Sequence, residues 1–154
     1  MSVQIRSAEM SDWQIIRDFN CALAQESEAK SLNLDTVSAG VRALLADERK
    51  GRYFLAEVEG RVVGQLMHTF EWSDWRDGEI WWLQSVYVHP EFRRRGIFRR
   101  LFEHLKSEAQ ARPQVVGLRL YVEEHNGRAS ATYAGLGMKP AGYFVLEQML
   151  RITA

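Results

Sequence analysis

Arg93, Arg94 and Arg95 stand in a row, followed by Gly96 and then by Arg99 and Arg100. The apolar spacing that begins at Ile97 predicts a helix there. A helix N-terminus carries about half an elementary positive charge and favours acids in its first turn. Arginines stacked on it cost roughly 0.3–1 kcal/mol per badly placed group at the surface. A bound anion reverses that sign, and Gly96 would let backbone amides approach it closely. The alternative is a solvated basic helix start. Neither standard nucleotide fingerprint is present, since there is no G-x-x-x-x-G-K-S/T and no complete G-x-G-x-x-G.

Other groups could move protons or bind cations. Tyr133 keeps its phenolic proton at neutral pH yet can give it to a strong base; otherwise it is the aromatic member of an apolar helix face. Asn126 is placed to cap the same helix. Glu71, Asp74, Asp77 and Glu79 are interleaved with Trp72, Trp75, Trp81 and Trp82. Carboxylates beside aromatic faces suit a cationic amine, and tryptophans equally suit a hairpin packed against a second subunit. Cys21 is the single cysteine and has no His–Asp arrangement with it. It reads as a small packing residue.

These side chains need a scaffold, and the apolar pattern supplies one. Met1 to Ser7 alternates as a strand. Trp13, Ile16, Phe19 and Leu23 recur at helical spacing, and Asp35 is placed to cap a second helix striped by Val37, Val41, Leu44 and Leu45. Tyr53–Val58 and Val62–Phe70 form a hairpin around Glu59-Gly60. Glu71 to Gly78 is a polar turn, and Ile80–Val88 is a strand stopped by Pro90. The third helix carries Ile97, Phe98, Leu101, Phe102, Leu105 and Ala109, and Pro113 ends it. Val115–Val122 is a strand. The fourth helix carries Ala129, Tyr133 and Leu136, with Gly137 as its stop. Tyr143–Ile152 closes the order β-α-α-β-β-β-α-β-α-β as a final strand. Hairpins in the first half and crossover helices in the second predict a mixed α/β layer fold within a single domain, residues 1–154.

The order of these elements and two motifs resemble the GNAT superfamily of N-acetyltransferases. Arg93-Arg94-Arg95-Gly96-Ile97-Phe98 is similar to its R/Q-x-x-G-x-G/A turn, departing where Phe98 replaces a small residue. Asn126, Ala129, Tyr133 and Gly137 fit the spacing of its N-x-x-A-x-x-x-Y-x-x-x-G signature. The resemblance rests on Gln84 to Met138. It implies a mostly antiparallel sheet with a splayed parallel pair, flanked by about four helices. It also implies acetyl-CoA as donor and an amine acceptor.

By the same resemblance, the backbone of Val86, Tyr87 and Val88 positions the thioester. Arg94, Arg95 and Gly96, with the following amides, hold the pyrophosphate, and Arg93, Ile97, Phe98 and Arg99 join them in binding the cofactor. Asn126 and Ala129 contact the pantetheine arm, and Tyr133 protonates the departing thiolate. Family members often place a glutamate on the fourth strand, where this chain has Trp82 and Gln84. Glu71, Glu79, Glu26 and His68 remain as candidate bases, Glu71 first among them because it ends a strand beside the presumed acceptor mouth. Glu26, Trp72, Asp74, Trp82 and Gln84 are the candidate acceptor-binding residues. A catalytically silent acetyl-CoA sensor is the alternative, motivated by the missing strand carboxylate.

Composition bounds the rest. Zero formal net charge supplies no global attraction to nucleic acid or membrane. No apolar run approaches spanning length, no metal-ligand spacing stands out, and one cysteine fits a reducing compartment. The expectation is a cytoplasmic homodimer without a metal, acting on a small-molecule or peptide amine.

Overall fold

A computed structural model describes residues 1–123 and 125–152. Five strands form one sheet in the order β1-β2-β3-β4-β5. They are β1 (Val3–Ser7), β2 (Arg52–Val58), β3 (Arg61–Ser73), β4 (Gly78–Val88) and β5 (Val115–Leu120). Neighbours pair antiparallel except β4 and β5, which run parallel. Four helices flank the sheet: α1 (Trp13–Glu28), α2 (Leu34–Leu45), α3 (Ile97–Gln110) and α4 (Gly127–Gly135). The splayed, mostly antiparallel sheet expected from the sequence is the one observed.

Both sheet faces are covered, which is why β2 reads as a near-continuous apolar run. Phe54 and Ala56 join Val63, Leu66, Trp81, Leu101, Phe102 and Leu105 in the α3-side core. Tyr53 and Leu55 join Ile16, Val41 and Met67 beneath α1 and α2. Each large apolar side chain so buried contributes roughly 1.5–3 kcal/mol. At Gly64 a Cβ would lie 3.0 Å from Ile97 and 3.3 Å from the Tyr87 carbonyl. A bare backbone at this point lets α3 lie close on β3 and fixes where its N-terminus emerges.

Three local readings are corrected. Asn33, not Asp35, caps α2, accepting from the Thr36 amide at 2.9 Å; Asp35 lies in the first turn, where its charge suits the helix dipole. The turn read over Glu71–Gly78 is shorter, because β3 continues to Ser73 and β4 begins at Gly78. Polar residues extend the hairpin because the strand end there is solvated on one face. Finally, Tyr143–Ile152 is not a strand: no sheet pairing includes it, and it lies exposed. Its composition suits a strand, but no neighbouring edge is paired with it.

Candidate active site

β4 contains one extra residue relative to β3. Gln65 pairs with Tyr87 and Met67 with Gln84, so the register shifts between them. Ser85 takes the left-handed conformation there, with φ of 50°. The bulge changes which side chains meet α3: Trp81 and Leu83 do so before it, Val86 and Val88 after it. Pairing of β4 with β5 ends at Leu83 opposite Leu120. Beyond that point the β4 edge from Gln84 to Val88 has no β5 partner, and apart from the Ser85 and Val88 carbonyls, bonded by Gln65 and Arg93, its outer backbone groups are left for a ligand.

A polar network holds the bulge. Buried Gln65 donates through Nε2 to Asn20 Oδ1 at 2.8 Å and to the Ser85 carbonyl at 3.0 Å. Asn20 Nδ2 donates to the Tyr53 hydroxyl at 3.0 Å. Burial pushes the Tyr53 phenol up, with the hydrogen bond from Asn20 opposing it. Gln65 Oε1 is buried without a partner. Beside this network a cavity of about 350 Å³ opens between α1, α2 and β4, bordered by Asn20, Leu23, Ser27, Glu28, Val37 and Ser85. Sequence reasoning missed Asn20, Tyr53, Gln65 and Ser85. A glutamine inside an apolar strand is the one signal that could have found them.

The arginine turn lies just beyond β4. Gly96 is the N-cap of α3 with φ of 78°, and Arg94 is also left-handed, with φ of 62°. Nothing lies within 4 Å of where a Gly96 Cβ would be, so the space beside the helix start is open. Intrahelical bonding begins with Arg100 N to Gly96 O; the preceding amides have no intrahelical acceptor. Among the described residues Arg94, Arg95 and Arg99 have no acidic partner. Three guanidinium groups without an acidic partner, amides without an intrahelical acceptor and open space suit a pyrophosphate.

Arg93 is placed differently from its neighbours. Its Nη2 pairs with Glu26 at 2.7 Å and its Nε donates to the Val88 carbonyl at 2.9 Å. Tyr87 donates its hydroxyl to the other Glu26 oxygen at 3.2 Å. Burial first, and then the Glu26 charge, hold the Tyr87 phenol above its usual range. Glu26, Tyr87 and Arg93 thus join α1 to the end of β4.

Asn126 caps α4 by accepting from the Ala129 amide at 3.0 Å. Tyr133 meets Phe98 of α3 edge to face, with centroids 5.6 Å apart, and burial pushes its phenol up. Phe98, the departure from the motif, is therefore the ring that holds Tyr133 beside the α3 start.

The remaining candidates lie elsewhere. Trp82 Nε1 donates to Glu71 at 2.7 Å, and Arg119 pairs with the same carboxylate at 3.3 Å. Glu71 sits opposite Ile80, five residues before Ser85, or about 17 Å along the strand. Trp72 and Asp74 are exposed still farther toward the hairpin end. Gln84 donates to Thr69 Oγ1 at 2.7 Å. His68 is stacked on Trp81 at 4.1 Å and accepts from Arg52. Burial holds its pKa down at about 3, so it stays neutral.

A strand that parts from its parallel neighbour at a bulge, leading into an anion-ready helix start, defines an acetyltransferase of the GNAT architecture. The chain belongs to the acetyltransferase (GNAT) family, whose model matches residues 12–138. It is similar to a possible acetyltransferase from Clostridium difficile 630, at 46% identity and a TM-score of 0.92 over 99% of this chain and 100% of that one. More remote structures share the fold. An integron cassette protein from the mobile metagenome of Cole Harbour Salt Marsh is 21% identical, with a TM-score of 0.84 over 97% and 91% of the two chains. A ribosomal-protein-alanine N-acetyltransferase from Brucella melitensis biovar Abortus 2308 is 18% identical, with a TM-score of 0.78 over 96% and 99%. Among the described residues no helix is long and apolar enough to cross a membrane.

Proposed function

We propose that the chain transfers an acetyl group directly from acetyl-CoA to a primary amine of a small molecule or peptide, as a homodimer. The observation that carries this reading is the unpaired β4 edge from Gln84 to Val88 leading to the open, arginine-rich start of α3. Arg94, Arg95, Arg99 and the amides after Gly96 would hold the pyrophosphate. The β4 backbone at Val86–Val88 would hold the pantetheine arm and donate to the acyl oxygen. When bound, acetyl-CoA supplies the activated acyl carbon.

The acceptor enters the cavity beside Asn20 and Ser85, where Glu28 at the rim attracts its ammonium form. The amine must lose a proton before it attacks. Glu26, fixed by Tyr87 and Arg93 at the end of β4, is the carboxylate we assign as acceptor of that proton, in place of Glu71, which lies toward the far end of the strand. Tyr133 holds a proton at its hydroxyl for the departing sulfur. Arg93 serves as the tie that positions Glu26.

Incubation with acetyl-CoA and a panel of amines, with release of free CoA as the readout, tests the proposal. Amine-dependent release is expected, rising with pH as the amine deprotonates. Tight acetyl-CoA binding without release for any amine would leave only the silent sensor reading.

A further inference from the structure

The segment from Lys139 to Ile152 is the most unsatisfied part of the molecule. Phe144 is 93% exposed, Leu146 92% and Leu150 79%, and Tyr143, Val145, Met149 and Ile152 are exposed with them. Ten residues containing seven large apolar side chains are rarely left in water by a folded protein. Aromatic and β-branched residues dominate the run, which suits an extended strand. Among the described residues none of 139–152 makes a hydrogen bond, and the last in sequence runs from Met138 N to Tyr133 O.

The sheet has a matching deficiency. Among the described residues β5 pairs only with β4, so its outer row of amides and carbonyls is open. The core is unfinished on the same side: Val115, Leu118 and Leu120 of β5, with Leu136 and Met138 after α4, are only partly buried. Val116 is exposed. The opposite edge differs. β1 is five residues long, and its Arg6 pairs with Asp12 at 2.9 Å and Glu57 at 2.7 Å, a charged edge that resists further strands.

We propose that residues 143–152 of one copy add as a strand to the open β5 edge of a second copy, and that the exchange is reciprocal. Each copy carries one unpaired strand-forming segment and one unpaired edge. In the single chain the two do not meet. Two copies related by a twofold axis satisfy both at once and close without leaving a free end. The added strand covers Leu118, Leu120 and Leu136, extending the α3-side core across the subunit boundary. β5 is also the strand whose separation from β4 opens the donor site, so the partner's segment braces the outer side of that opening.

Sedimentation of the full chain at micromolar concentration should show a dimer; a monomer overturns the proposal. The exchange itself is read by cross-linking. In a Cys21→Ser background, Val116→Cys and Leu146→Cys are placed in the same chain, treated with a bis-maleimide and denatured. A covalent dimer is expected. A chain linked only to itself means that the segment folds onto its own edge, and it overturns the proposal even if the protein is dimeric. Leu146→Pro should weaken the dimer by about a hundredfold with helical circular dichroism retained. An unchanged dimer in that variant places the interface elsewhere, and the proposal fails.

Discussion

Single side chains divide into those whose surroundings suit the role expected of them and those whose neighbours commit them elsewhere. Tyr133 belongs to the first group. Its phenol is held above its usual range by burial against Phe98, which suits the proton-donor role proposed for it. Tyr133→Phe should lower kcat by about 10²–10⁴-fold while the Kd for acetyl-CoA stays unchanged. Steady-state kinetics with calorimetry on the variant checks both. Glu71 belongs to the second group: it lies within β3 opposite Ile80, not at a strand end, and its commitment to Trp82 and Arg119 was not legible. His68 is similar. It takes up a proton near pH 6.5 when unfolded and near pH 3 when folded. Between those values the unfolded chain binds the extra proton. Stability is therefore fully present above pH 6.5 and declines as pH falls, by up to about 1.4 kcal/mol per unit. Denaturant unfolding from pH 7 to 4 should show this slope in the native chain and a flatter one in His68→Gln. Below about pH 4 Asp12, held low by its bonds to Arg6, adds its own loss.

Most elements were legible because their periodicity is local. The α3 stripe, the Glu59-Gly60 hairpin and the Asn126 cap each need only a few neighbouring residues to recognise. The β4 bulge was not legible, since an extra residue shows only against the register of the partner strand. The closing segment misled for a related reason: Tyr143–Ile152 has the composition of a strand, but composition does not say which edge will receive it. Within α3 the decisive position is Gly96. An L-residue at φ of 78° costs roughly 1–2 kcal/mol, and its side chain would project into the open space beside the helix start. Gly96→Val should therefore leave circular dichroism native, lower the melting temperature by a few degrees, and weaken acetyl-CoA binding at least tenfold. Calorimetric titration against the native chain measures the last effect.

At the scale of the molecule, the two ends of β4 carry different chemistry. The late end, with α1, carries the bulge, the cavity and the Glu26–Tyr87–Arg93 tie; the early end carries the tryptophans and carboxylates of the hairpin. The sequence reading put Glu26 and the hairpin residues at one acceptor mouth because the hairpin concentrates carboxylates and tryptophans. The strand length separates them. Asn20→Ala should raise the acceptor KM several-fold without changing acetyl-CoA affinity, whereas Glu71→Gln with Asp74→Asn should leave the acceptor KM unchanged. If the double variant alone raises that KM, the acceptor mouth lies at the hairpin end.

Ser85 gives the architecture an unusual economy. Because the bulge adds one residue to β4 and none to β3, deleting Ser85 would restore an unbroken register with Val86, Tyr87 and Val88 still facing the same layers. The shortened chain should fold, with its core intact and its β4 able to keep pairing with β5 past Leu83. It should also be inert, since the opening between those strands would be zipped shut. Enzyme and inactive scaffold would then differ by one codon, a deletion control in which loss of acetyl-CoA binding at unchanged stability isolates the site from the fold that carries it.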